Sequence, residues 1–164
     1  MKLVEWLNKW KMSKLKINAH FIEMEINFND ADKKAAWEMY IELLTRVTTQ
    51  NLKSEEGDEQ TALTSVFKLF DITRDIIKRY GSECFEFTKI AIVILNQIIR
   101  PFTAKWHRSS LAGEFDKKEK CELFRNELIK LQSDLCQYTK MLSDISQVED
   151  LTDLELIDLQ NSDN

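Results

Sequence analysis

The sequence is poor in the residues that break or cross-link regular structure. Its 164 residues include three glycines, one proline and three cysteines. So few glycines and prolines nearly exclude a multi-stranded fold with many tight turns, and they are typical of long helices. Cys84, Cys121 and Cys136 are too few and too widely spaced for a zinc site or a CxxC redox pair. We therefore expect free thiols in a reducing cytoplasm.

Long uninterrupted apolar runs are also missing. The most apolar stretch, residues 84–102, is interrupted by charged and amide side chains, so it predicts a buried core helix rather than a membrane span. The first residues lack the continuous apolar segment of a signal peptide. These two observations predict a cytoplasmic protein without a transmembrane span.

The usual sequence marks of an enzyme are missing as well. The chain contains no glycine-rich phosphate loop, no GxSxG nucleophile motif and no HExxH zinc motif. Its two histidines, His20 and His107, are not preceded by a glutamate at the spacing that di-metal helical bundles use. The sequence therefore predicts no catalytic residue, no metal and no cofactor.

The most regular feature that is present is an apolar stripe near the C-terminus. Steps of 3 and 4 residues place its members on one face of a long helix, which must be buried against other helices. The stripe consists of Cys121, Phe124, Leu128, Leu131, Leu135, Tyr138, Leu142 and Ile145. We expect Asp116 and Glu119 to form a capping box at the start of this helix.

Three more long helices are predicted from periodicity and end signals. One covers 29–50 and buries a row at steps of 3, 4 and 3, namely Trp37, Tyr40, Leu44 and Val47. The next covers 59–80 and ends at Gly81. The third is capped by Ser82 and is kinked or ended by Pro101.

The predicted fold is all-α, an up-and-down bundle of four long helices in one domain over 1–147. Short connections at 51–58, 81–82 and 112–115 favour antiparallel neighbours. Residues 1–15 predict an appended amphipathic helix, and the strict alternation of 21–28 predicts one short β-strand or extended arm. Such a strand must pair with residues 16–20 or with a second subunit, or be remodelled into the arm. Residues 148–164 hold six acids and no base, and predict a flexible acidic tail.

A polar seam on the most apolar helix is the best candidate for a ligand site. Its residues are Asn96, Arg100, Thr103, Lys105, Trp106, His107 and Arg108. They suit an anion or nucleotide site in which Trp106 stacks on a base. Alternatively, the seam is a buried structural network in which Arg100 pairs with Glu38 or Glu42, beside Arg46. The acidic row on the second helix is then either a solvated face or the face that meets this seam.

Both ends of the chain offer interaction residues. Trp6 and Trp10 suit either weak contact with a membrane surface or docking onto the bundle. Partner contacts are also predicted along the alternating segment and the tail, at Ile22, Met24, Ile26, Phe28, Leu151, Leu154 and Ile157. Nucleic acid is disfavoured because the chain has a net charge of −5 and no basic stripe beyond residue 16.

Two segments, AAWEMYIELLTRVTTQ (35–50) and LNQIIRPFTAKWH (95–107), resemble a group of small, uncharacterised bacterial helical proteins. The resemblance covers 29 residues. It implies a bacterial cytosolic protein, encoded near defence systems, and it assigns no activity, cofactor or site residue.

The predicted function is that of a non-enzymatic protein acting through protein–protein contacts. We expect a homo-oligomer or a protein partner, with an accessory subunit of a defence-type system as the specific form. The alternative is a sensor that binds an anionic small molecule or nucleotide at Arg100–Arg108.

Overall fold

Helices account for most of the chain that the computed structural model describes, which is residues 1–46 and 58–154. The α-helices in these ranges are α1 (Leu3–Lys9), α2 (Ala19–Ile22), α3 (Asp30–Leu44), α4 (Glu59–Tyr80), α5 (Phe85–Ile94), α6 (Arg100–Leu111) and α7 (Lys118–Ser146). A π-helical turn, Leu95–Ile99, joins α5 to α6. Single 3-10 helical turns lie at Gly81–Cys84 and Glu114–Asp116. The predicted all-α class is confirmed.

The bundle consists of α3, α4, the continuous α5–α6 helix and α7. Neighbours run antiparallel: Ser110 near the end of α6 donates a hydrogen bond to Gln60 at the start of α4, whereas Arg100 at the start of α6 lies over the ring of Phe70. One contiguous apolar core extends from Leu3 to Ile145. The predicted up-and-down arrangement of four long helices is thus the observed one.

The periodic stripe on α7 is the part of the core that the sequence predicts best. Every member from Phe124 to Ile145 is at most 5% exposed, and Cys121 is half-buried. Burying each such side chain contributes about 1.5–3 kcal/mol. The stripe therefore fixes which face of α7 points inward.

The ends of α4 match the prediction, but two other predicted caps are wrong. Gly81 ends α4 with a φ of 62°, which an L side chain rarely adopts. Ser82, however, does not cap α5, because the Asp32 carboxylate of α3 accepts the Phe87 N–H of α5 at 2.9 Å. The predicted box at the start of α7 is also absent, since Lys117 is the N-cap residue and its side chain makes no capping bond.

The α3 helix ends earlier and is turned differently from the prediction. It stops at Leu44, and the predicted continuation over 47–50, including Val47, lies outside the described residues. Trp37 is 43% exposed instead of buried. The buried face consists of Ala35, Ala36, Met39, Tyr40 and Leu43, all of them inaccessible to solvent.

Pro101 does not end its helix, which continues to Leu111. Instead, the π-helical turn precedes it, and the Arg100 N–H donates to the carbonyl five residues back, on Leu95. The proline sits in the first turn of α6, where its missing N–H is least costly. A π turn takes up one extra residue. Beyond Leu95 the buried stripe consequently continues one residue later than in a regular helix, at Ile99 in the turn and at Phe102 and Trp106 in α6.

The N-terminal residues are part of the bundle core. Trp6 of α1 is 3% exposed, and its Nε1 donates to Asp144 Oδ2 of α7 at 3.2 Å. Its ring centre lies 5.4 Å from that of Phe28, and Trp10 is partly buried beside it. Of the two alternatives for Trp6 and Trp10, the structure therefore shows docking onto the bundle, because the apolar face of α1 that would contact a membrane is buried against α7 and Phe28. None of the helices in 1–46 and 58–154 is both long and apolar enough to cross a bilayer.

The alternating segment 21–28 does not form a β-strand. Asn18 caps the short helix α2 instead, with its Oδ1 accepting the His20 N–H at 3.0 Å. What remains is an extended arm that meets the chain's own N-terminus: the Leu3 N–H donates to the Met24 carbonyl, and the Ile26 N–H donates to the Met1 carbonyl. Within the chain, the arm therefore pairs with residues 1–3 rather than with residues 16–20.

Candidate interaction surface

The structure separates the residues of the predicted ligand seam. Asn96, Arg100 and His107 are exposed on α6 and the π turn, whereas Thr103 is buried and its hydroxyl donates to backbone carbonyls one turn back. Arg100 Nε donates to Asn96 Oδ1 at 3.1 Å, and its guanidinium lies 4.9 Å from the ring centre of Phe70. The four residues thus do not form one polar row.

The remaining seam residues lie on another side of α6. Trp106 is fully buried, and its Nε1 donates to Glu127 Oε2 at 2.9 Å, so it cannot stack on a nucleotide base. Lys105 forms an ion pair with the same carboxylate. Lys105 and Arg108 line an open concavity together with the acidic Glu114. A shared anion site for all seven residues is therefore not formed.

The buried network predicted as the alternative is also wrong. Arg100 is exposed, so its charge stays hydrated and needs no carboxylate partner. Glu38 instead accepts from Arg79 and from the hydroxyl of Tyr80 on α4. Glu42 accepts from Arg46 one turn further along the chain. The acidic row of α3 faces the outer side of α4 rather than α6.

The same contacts define an unpredicted surface, which we call the α3–α4 patch. It surrounds a concavity of about 320 Å³. We call the apolar part of the lining its centre, namely Trp37, Ile41, Ile72 and Ile76, and the charged part its rim, namely Glu38, Glu42, Asp75 and Arg79. Trp37 is 43% and Ile41 is 37% exposed. The Trp37 ring stacks on that of Tyr40, with 5.8 Å between the centres, so it is held in place from beneath.

Sequence reasoning missed this surface because it placed Trp37 in the core. The signal was present in a competing row on α3, where Ala36, Met39 and Leu43 also recur at helical spacing. That row puts Trp37 and Ile41 on the opposite, outer side. Two rows of similar period fit the sequence, and only the packing against α7 decides between them.

Most of the other predicted interaction residues are used inside the molecule. Trp6, Trp10, Ile26 and Phe28 contribute to the core or pack against it, and Ile22 is partly buried. The exposed members are Met24 (38%), Leu151 (37%) and Leu154 (63%). Ile157 lies outside the described residues.

The described part of the tail is fastened to the bundle. The Leu151 N–H donates to the hydroxyl of the buried Tyr40 at 2.7 Å. Lys140 of α7 binds Asp153 at 3.0 Å, and this hydrogen bond raises the pKa of Lys140. Residues 148–154 therefore lie against α3 and α7.

No group of three His, Cys, Asp or Glu side chains in 1–46 and 58–154 could hold a metal ion. Burial raises the pKa of the Cys121 and Cys136 thiols, which keeps them in the protonated, less nucleophilic form. His20 and His107 are both exposed and lie on different helices.

Comparison of the chain with protein-family models, curated proteins and solved structures finds no match. The geometry of the surface is therefore the basis of the functional proposal.

Proposed function

We propose that this chain is a non-enzymatic helical protein that binds another polypeptide at the α3–α4 patch. The observation that supports this most is the joint exposure of Trp37 and Ile41 around one concavity. Contiguous exposed apolar surface with a polar rim is typical of protein interaction sites.

The composition of the patch matches that of tight protein contacts. Tryptophan and arginine are enriched among the residues that contribute most binding energy, and Trp37 and Arg79 are both present. The rim charges are partly neutralised within the molecule by the pairs Arg79–Glu38 and Arg46–Glu42. A partner therefore meets an apolar centre without having to neutralise every rim charge.

The resemblance of 35–50 and 95–107 to small bacterial proteins encoded near defence systems supports one class of partner. A subunit of such a system is the first protein to test, and a second copy of this chain is the next. The alternative function, an anion sensor at Arg100–Arg108, has weaker support because Trp106 is buried and Arg100, over Phe70, lies apart from Lys105 and Arg108.

Site-specific crosslinking in the native cell tests the proposal. A photoreactive amino acid at position 41 should give one discrete adduct, because Ile41 lies at the centre of the patch. The mass of the adduct identifies the partner class: about twice 19.4 kDa for a second copy, and another mass for a different protein. Trp37→Asp should remove this adduct, since it places a charge at the apolar centre.

The matched control is the same photoreactive residue at position 129, where Ile129 is 58% exposed on α7. The proposal is wrong if positions 41 and 129 give the same adducts, or if Trp37→Asp leaves the adduct of position 41 unchanged.

A further inference from the structure

A second concave surface lies on α5, away from the α3–α4 patch. Its other side includes residues 15–21, which we call the N-terminal arm and which precede the extended arm described above. We call this surface the arm groove. It encloses about 270 Å³. Its floor includes the buried side chains of Leu7 and Ile90, and its walls include Ile17, Phe21 and Ile92. Phe21 is 39% and Ile92 is 46% exposed, so apolar surface is accessible from solvent.

The described charged residues that line the arm groove are both lysines. They are Lys16 and Lys89, and no carboxylate of 1–46 or 58–154 is in the lining. Lys89 is paired with Glu86 at 2.7 Å, whereas the ammonium of Lys16 forms no ion pair with any residue of 1–46 or 58–154. The groove therefore presents an apolar floor beside an unneutralised positive charge.

The wall that carries Lys16 is held by the bundle rather than by a ligand. The Lys16 N–H donates to Gln97 Oε1 at 2.8 Å, and Gln97 Nε2 donates to the Lys16 carbonyl at 2.6 Å. Both bonds use the backbone of Lys16, so its side chain is not needed to hold the arm. A preformed site avoids the entropic cost of ordering the arm on binding.

We infer that the arm groove binds a free medium-chain carboxylate, with its alkyl chain on Leu7 and Ile90 and its carboxylate at Lys16. The apolar floor suits an aliphatic group, and the unneutralised ammonium of Lys16 suits an anion. At about 270 Å³ the groove is slightly smaller than the roughly 300–1,000 Å³ of typical ligand sites, which suits a single short chain. Each methylene that enters the groove should strengthen binding about fourfold. This inference does not depend on the function proposed for the α3–α4 patch.

Titration of the full chain with octanoate, decanoate and octanol, all below their micelle or solubility limits, tests the inference. Decanoate, with two more methylenes, should bind roughly sixteenfold more tightly than octanoate, and octanoate more tightly than octanol. Ile92→Glu should weaken decanoate binding at least tenfold, because it adds a negative charge to the wall at an exposed position. Lys16→Met should reduce the preference for octanoate over octanol.

Ile129→Glu is the matched control, since it adds the same charge at an exposed position that does not line the groove, and it should leave decanoate binding unchanged. Four results would overturn the inference: no binding of monomeric decanoate, equal binding of octanoate and octanol, full binding by the Ile92→Glu variant, or binding to phosphatidylglycerol vesicles without binding of monomeric decanoate.

Discussion

Two buried tyrosines differ in whether their hydroxyl groups are hydrogen-bonded. The Tyr40 hydroxyl accepts the Leu151 N–H at 2.7 Å. The Tyr138 hydroxyl is buried without a partner in the described part of the chain, and burial raises its pKa. An unpaired buried polar group lowers stability, whereas a paired one contributes to it.

We therefore expect opposite effects from removing the two hydroxyl groups. Tyr138→Phe should leave the free energy of unfolding unchanged or raise it by up to about 1–2 kcal/mol, and Tyr40→Phe should lower it by about 1–2 kcal/mol. Urea unfolding of both variants beside the wild type measures the difference. An equal loss in both variants would show that the Tyr138 hydroxyl has a partner.

Asp32 stabilises two helix starts with one carboxylate. It is fully buried, and its oxygens accept the Asn29 N–H at 3.0 Å and the Phe87 N–H at 2.9 Å. Asp32→Ala should cost roughly 3–5 kcal/mol in urea unfolding, because two charge-assisted bonds are lost. Asp30→Ala is the neighbouring control, with a side chain that is 93% exposed, and should cost less than about 1 kcal/mol. Similar losses in both variants would refute this role.

At the scale of elements, the π turn carries Gln97, whose side chain holds the backbone of the N-terminal arm at Lys16. Gln97→Ala removes both hydrogen bonds to the Lys16 backbone, which should favour local opening of the arm by about 1–2 kcal/mol. Trypsin should then cleave after Lys14 and Lys16 roughly tenfold faster. Asn96→Ala is the control, since Asn96 bonds to the exposed Arg100 side chain, and it should not change the cleavage rate. Equal cleavage of both variants would contradict the role of Gln97.

Elements with a long, uninterrupted period are those that the sequence predicts well. The α7 stripe and the bounds of α4 rest on many residues that agree with one another, and the Gly81 end signal has a single structural meaning. The alternation over 21–28 did not predict the observed structure, because the cap supplied by Asn18 starts a short helix that takes in the first residues of this segment. The burial of Trp106 and the exposure of Arg100 could not be predicted, because a helical period of 3.6 does not reveal a π turn.

On the scale of the whole molecule, the N-terminal helix completes the core rather than extending from it. Trp6→Ala should therefore cost about 3–5 kcal/mol, as for other buried tryptophans. Trp37→Ala should change the free energy of unfolding by less than about 1 kcal/mol, because Trp37 is 43% exposed. Urea unfolding of the two variants makes the comparison. A large loss in Trp37→Ala would mean that the α3–α4 patch serves stability instead of binding.

The π turn between α5 and α6 contains one residue more than the same stretch of a regular helix would. In the gene, that extra residue is a single codon. Removing a single residue from 95–99 would restore a regular helix and leave Trp106 facing inward, because the stripe beyond the turn is displaced by that one residue. Converting the turn to a regular helix without a deletion would instead rotate everything beyond it by about 100°. Lys105 would then occupy the inward position that Trp106 now holds, and the inner and outer faces of α6 would be exchanged. A related sequence that has a regular helix here would therefore align with this chain only if a one-residue gap is placed at the turn.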